Sequence, residues 1–312
     1  MAGLLAELGK KLAERWLTLL VLPGALYLAV IAAAVALGQT EALAPGRLTD
    51  QFTTWATSPT VSSLGGQIVV LGAVLAGAAG AGIAAQALAS VLERLWLAAD
   101  WHTWPWPLRA LANAQVNRRR QRWTVSAGNY QEERDQAALL RTRGQRADPL
   151  SRHAAYHRLT RIAPEYPARP TWCGDRIHAV AVRIERDLRL DLSTVWPPLW
   201  LTLPEAVRAE IQAARLALSR AFTLGAWAIL YVVLAIWWWP AALIALGVAV
   251  AALTRARTAT DTYAVLLESA THLYAGDLAR QLGLETSGPF TADTAAALSE
   301  LLHRAPFELP DN

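Results

Sequence analysis

Between Ala221 and Leu253 the chain reads AFTLGAWAILYVVLAIWWWPAALIALGVAVAAL, thirty-three residues without a charge. One helix of that length would run about 50 Å, whereas a hydrocarbon core is only about 30 Å thick. The stretch is too long for one upright crossing and just long enough for two short ones. Trp237-Trp238-Trp239-Pro240 interrupts it near the middle. Tryptophan prefers the membrane–water interface. Proline suits the first turn of a helix, where its missing N–H is not needed. The stretch therefore predicts a helical hairpin with the tryptophan cluster at its tip. One long tilted helix and a re-entrant pair are the competing shapes.

Two more apolar blocks lie toward the N-terminus. Trp16 to Leu37 carries no charge and contains Pro23-Gly24, a pair that membrane helices tolerate. It is longer than the apolar region of a signal peptide, about 7–15 residues. A segment with Leu4, Leu5, Leu8 and Leu12 at helical spacing precedes it. An uncleaved anchor is expected. The second block, Gln67 to Leu92, places small residues four apart: Ala73, Gly77, Ala81, Ala85 and Ala89, with Gly72, Ala76, Gly80 and Ala84 beside them. Lipid tails give no hydrophobic drive between helices, so association depends on close backbone approach. Gly72, Ala73, Gly77, Gly80, Ala81 and Ala85 are the expected helix-packing positions, in cis or in an oligomer.

Composition agrees with a membrane protein: 54% of residues are apolar and 17% charged, against about 45–50% and about 25% in soluble domains. Orientation follows the basic residues near the span ends. Lys10, Lys11 and Arg15 precede the first block, Arg94, Arg109 and Arg118 follow the second, and Arg220, Arg255 and Arg257 flank the third. The intervening loop 38–66 has only Arg47, and the tryptophan tip has no basic residue. The expected fold is an all-α membrane protein: about four transmembrane helices as two hairpins, an α-helical cytoplasmic insert, and both termini inside a plasma membrane. Its parts are residues 1–92 (amphipathic segment and first hairpin), 93–220 (arginine-rich region), 221–254 (second hairpin) and 255–312 (acidic helical tail). The central region has a net charge of +8 and the tail from Thr258 a net of −6, so the two could dock.

Within the central region, Trp96, Trp101, Trp104 and Trp106 precede a basic run, Arg118, Arg119, Arg120 and Arg122. The tryptophans, with Trp237, Trp238 and Trp239 at the tip, are expected at membrane interfaces. The arginines are expected to face anionic headgroups. A nucleic-acid partner is disfavoured, because the run lies close to a membrane exit and orientation alone requires it. Residues 129–163 predict one or two polar helices broken at Asp148-Pro149. Asp175 to Arg189 and Glu205 to Ser219 carry helical stripes, Ile177, Val180, Ala181 and Ile184 in one and Val207, Ile211, Leu216 and Leu218 in the other. The second stripe is expected to run straight into the third apolar block. Between the stripes, Val195 to Pro204 holds three prolines, from which an irregular segment packed on the membrane or on the helical domain is expected.

Here the chain resembles a known pattern. Pro170-Thr171-Trp172-Cys173-Gly174-Asp175, then Trp196-Pro197-Pro198-Leu199 and Leu203-Pro204, are similar to motifs of uncharacterised, mainly actinobacterial integral membrane proteins. The likeness covers roughly residues 165–255. It implies a bacterial inner-membrane protein with a hairpin on either side of a cytoplasmic region, and it implies no activity. Those relatives usually carry Asn where this chain has Asp175, so a polar contact made there can differ.

Catalytic signals are weak. His153 and His157 share a helical face but lack a third ligand and sit among Arg152, Arg158 and Arg161. Cys173 and His178 lack any oxyanion device. There is no phosphate-cradling glycine loop, and the expected spans contain no Asp, Glu, Lys, Arg or His, which disfavours an ion or proton pathway. No catalytic, cofactor or metal residue is assigned, and an enzyme is not expected. The function expected is a membrane-anchored interaction or scaffold protein, with a homo-oligomer or a cytoplasmic protein as partner. The alternative is an oligomeric pore gated by the cytoplasmic domain.

Overall fold

The computed structural model describes residues 21–39, 63–146, 148–284 and 290–302, with a few isolated positions elsewhere. Among the described residues the regular structure is entirely helical. In chain order the helices are α1 (Leu22–Leu37), α2 (Leu64–Leu97), α3 (Trp106–Thr142), α4 (Pro149–Thr160), α5 (Trp172–Leu188), α6 (Leu192–Thr202), α7 (Glu205–Ala235), α8 (Pro240–Gln281) and α9 (Ala292–Leu302). Three of them, α2, α7 and α8, are long and apolar enough to cross a membrane, and α1 is a shorter apolar helix. The segment ahead of Val21, including the N-terminal leucines and the start of the first apolar block, lies outside the described residues, as does most of 38–66.

The chain divides into two compact units. The first comprises residues 1–93 and 219–254. Here α1 meets α2 where Gly24 lies on the backbone of Ala78; a Cβ on Gly24 would overlap the Ala78 carbonyl. The Tyr27 hydroxyl donates to the Leu230 carbonyl at 3.1 Å, and its ring packs 5.2 Å from that of Tyr231. Ala34, Tyr231, Leu234, Ala241 and Ala245 form one buried cluster. α7 ends at Ala235 and α8 begins at Pro240, so a turn does occupy the tryptophan tip. Gln39 fastens it: its amide donates to the Ile236 carbonyl at 2.8 Å and its carbonyl oxygen accepts from Trp239 N–H at 3.3 Å. Trp237 and Trp239 are exposed, while Trp238 packs against the buried cluster. Large apolar side chains elsewhere in this unit face outward, among them Ile68, Val69, Leu71, Val232, Leu243 and Leu246. In water such a surface would be costly; in hydrocarbon it is what a spanning helix presents.

Within the chain, only part of the small-residue face of α2 is used. The positions it buries are Ala78, Gly82, Ala85 and Ala89, spaced four, three and four apart as one helical face requires. Ala85 belongs to the expected set, and Gly77 lies against Leu28. Ala81 is half-buried, whereas Gly72, Ala73 and Gly80 are exposed. Periodicity marked several small rows, and only the crossing at Gly24 decides which one is used inside the chain.

The second unit comprises residues 94–218 and 255–312. Its main core joins α5, α6, the start of α7, the later part of α8, and α9. Val180, Ile184, Leu190, Val195, Leu199 and Leu203 pack with Ala264, Leu267, Leu278 and Leu298. The tail and the central region thus share one apolar core. Charge adds to it through Arg176–Asp261 at 2.6 Å and Arg183–Glu268 at 3.2 Å.

The segment at 192–202 is helical, contrary to the expectation from its prolines. Pro197 and Pro198 lie inside α6, where each removes an i to i−4 hydrogen bond. Two features compensate. Val195 and Leu199, one turn apart, are fully buried in the core. Asp191 caps the N-terminus, accepting from the Ser193 backbone at 3.2 Å and from the hydroxyls of Ser193 and Thr194 at 2.5 and 2.7 Å.

Candidate functional site

The start of α5 organises the second unit. Thr171 is its N-cap, accepting from Gly174 N–H at 3.0 Å and donating its hydroxyl to the Trp96 carbonyl. Gly174 must stay small, because a Cβ there would sit 2.5 Å from the Leu97 carbonyl oxygen. Asp175, in the first turn, is buried. One of its oxygens accepts from Ala168 N–H at 2.9 Å and Arg169 N–H at 2.7 Å. The other accepts from Arg119 at 2.7 Å, which also donates to the Ile162 carbonyl at 2.6 Å. Asp175 therefore ties α5, α3 and the segment before α5 together through one carboxylate.

This resolves the basic run of α3 into two faces. Arg119 and Arg120 turn inward; Arg120 donates to the Pro167 carbonyl at 2.9 Å and lies 5.2 Å over the Tyr166 ring. Trp123 donates to the Ala163 carbonyl at 3.2 Å. Arg118 and Arg122 remain exposed. Two of the four arginines expected at anionic headgroups are thus committed to protein carbonyls and a carboxylate. The tryptophans divide likewise. Trp101 is buried with Ala98, Ala112 and Val116, and its indole N–H donates to the Ala168 carbonyl at 3.2 Å. Its place is in the protein's core rather than against lipid. Trp96 and Trp104 are half-buried, and Trp106 is exposed.

Beside this hub lies a cleft of about 510 Å³ in the second unit. Arg161, Arg176, Arg183 and Arg257 line it, with Trp172 on one wall and Asp261 as its carboxylate. Arg176 is held by Asp261 through Nε, its side chain only 9% exposed. Its Nη1 is buried without an acceptor. Arg183 is engaged by Glu268 and, at 3.9 Å, by Glu165. The Arg257 guanidinium lies 5.8 Å over the Trp172 ring.

The weaker sequence candidates have plain placements. Cys173 is buried, and burial raises its thiol above the ordinary range, only partly offset by a hydrogen bond with Thr260. A protonated thiol is a poor nucleophile. His178 is shifted downward by burial and then by the Arg169 charge. His157 lines the cleft, but among the described residues no group of three His, Cys, Asp or Glu side chains could hold a metal ion. Sequence reasoning missed the cleft because its arginines come from separate segments. The available signal was spacing: Arg176 and Arg183 lie two turns apart on one face of α5, and Arg257 and Asp261 one turn apart on α8. Comparison with known proteins finds no family model, no curated protein and no solved structure that matches this chain.

Proposed function

We propose that the chain is a membrane-anchored interaction protein of a bacterial inner membrane, in which the second unit is a cytoplasmic platform for a protein partner. The observation that carries this reading is continuity. α2, α7 and α8 each combine a membrane-length apolar stretch with residues that enter the second unit, whose core binds α5, α6, α8 and α9 together. A body fixed on several anchors suits a scaffold or receiver better than a tethered, freely moving domain. The topology that goes with it has four crossings in two hairpins, the turn at 236–239 outside and both termini inside. Basic residues at the span ends and the exposed Trp237 and Trp239 support it. No catalytic role is assigned to any residue. Affinity purification of the full chain from native membranes tests the reading. A partner held in fixed ratio is expected, and a chain that elutes alone under gentle extraction and after cross-linking contradicts it.

One observation favours a second reading, an oligomeric pore. Gly72 and Gly80 on α2 have open space around them, which leaves a smooth face for another copy. Dye release from liposomes carrying the full chain separates the two; the interaction protein leaves them sealed.

A further inference from the structure

We infer that the arginine-lined cleft of the second unit is a binding site for a phosphate-bearing small molecule. Its lining is strongly cationic, four arginines against the Asp261 carboxylate. Two of the four have ion-pair partners of their own: Arg176 with Asp261, and Arg183 with Glu268 and Glu165. Arg161 and Arg257 have no carboxylate partner among the described residues. Guanidinium groups in a concavity suit phosphate, because their planar forks match its oxygens two at a time.

The second, independent observation is Arg176. Burying a guanidinium N–H without an acceptor costs free energy that proteins normally avoid, yet Nη1 of this nine-tenths buried side chain has none. Asp261, 57% exposed, occupies only the Nε side. A phosphate bound end-on, across the two terminal nitrogens of Arg176, supplies the acceptor that Nη1 lacks while Asp261 stays on Nε. The size of the cleft, about 510 Å³, falls within the range of about 300–1,000 Å³ typical of small-molecule sites. Trp172, already under the Arg257 cation, supplies a flat apolar wall for the organic part of the ligand. The phosphate could belong to a soluble nucleotide or to a lipid headgroup; the recognition chemistry is the same. This inference is independent of the proposed topology and of any protein partner.

The test uses the full chain in phosphatidylcholine nanodiscs. Calorimetric titration with ATP and with inorganic pyrophosphate probes the soluble source. Discs doped with phosphatidic acid, read by the shift in melting temperature, probe the lipid source. Saturable binding in either arm is expected. Arg161→Gln and Arg257→Gln should each weaken it about tenfold or more, as loss of a charged hydrogen bond implies. Both residues are exposed and outside the cores, so the variants should melt like the wild type. Arg109→Gln, exposed on α3 and outside the cleft, should bind unchanged. Absence of binding in both arms at millimolar ligand overturns the inference. Binding that Arg109→Gln weakens as much as Arg257→Gln also overturns it, since that is diffuse charge rather than a site.

Discussion

Replacing Asp175 by Ala should unfold the second unit at a markedly lower temperature. The carboxylate accepts three hydrogen bonds, from Arg119, Ala168 N–H and Arg169 N–H, at 2.7–2.9 Å. It is 3% exposed and its cationic partner 14%. Removing it leaves a largely buried guanidinium without its counter-charge and two backbone donors without an acceptor. Breaking one side of such a pair costs about 3–5 kcal/mol. For a body of about 150–250 residues, 1 kcal/mol moves the midpoint by about 2–4 °C. A fall of about 6–20 °C is therefore expected, followed by tryptophan fluorescence of the full chain in detergent. Asp175→Asn keeps an oxygen for the two backbone donors but replaces the acceptor of Arg119 by an amide NH2, so it should fall less far than Asp175→Ala. Adding Arg119→Met to Asp175→Ala should recover part of the loss, because the orphaned charge goes with it. If Asp175→Ala melts within about 2 °C of the wild type, the carboxylate is not the tie described here. Equal losses in the Ala and Asn variants would refute the division between charge and backbone acceptor.

Other outcomes follow from single residues. Gly24→Ala should separate α1 from α2, costing about 1–3 kcal/mol or more by overpacking, while Gly80→Ala, in open space, should not; resistance of the purified chain to mild detergent unfolding reads both. Asp191→Ala should cost about 0.5–2 kcal/mol by uncapping α6, visible as faster proteolysis within 192–202. Burial holds His178 below its usual range, so the folded chain keeps it neutral where the unfolded chain takes a proton. Its contribution is therefore complete above the unfolded value of about 6.5 and declines as pH falls below it; a melting profile against pH should flatten on the acid side in His178→Asn. The buried, upward-shifted Cys173 should label slowly with maleimide near neutral pH and rapidly once the chain is denatured.

The helices were legible where a single chemical pattern dominates. Uncharged length marked α2, α7 and α8, Trp237 to Pro240 marked the turn, and the Val207–Leu218 stripe marked the entry into α7. Competing local signals hid the rest. Pro197 and Pro198 argue against a helix by backbone chemistry, and α6 forms because Val195 and Leu199 reach a core made by residues distant in sequence. The run Arg118 to Arg122 looks uniform as a string, but helical twist sends Arg119 and Arg120 inward to carbonyls that no local pattern reveals. Opposite net charge pointed to a meeting of tail and central region, and beside the ion pairs Leu267, Leu278 and Leu298 join a shared apolar core that net charge does not reveal. The cleft was the least legible feature, since its arginines become neighbours only after α4, α5 and α8 are in place.

The proposed topology stands or falls on the side of the membrane where the second unit lies. In a Cys173→Ser background, single cysteines placed by Gln145→Cys and Thr262→Cys, both exposed in the second unit, and by Trp237→Cys at the α7–α8 turn can be treated with a membrane-impermeant maleimide in intact spheroplasts. Labelling is expected at position 237 before lysis, and at 145 and 262 only after it. Labelling of 145 or 262 in intact cells, or of 237 only after lysis, would contradict that topology.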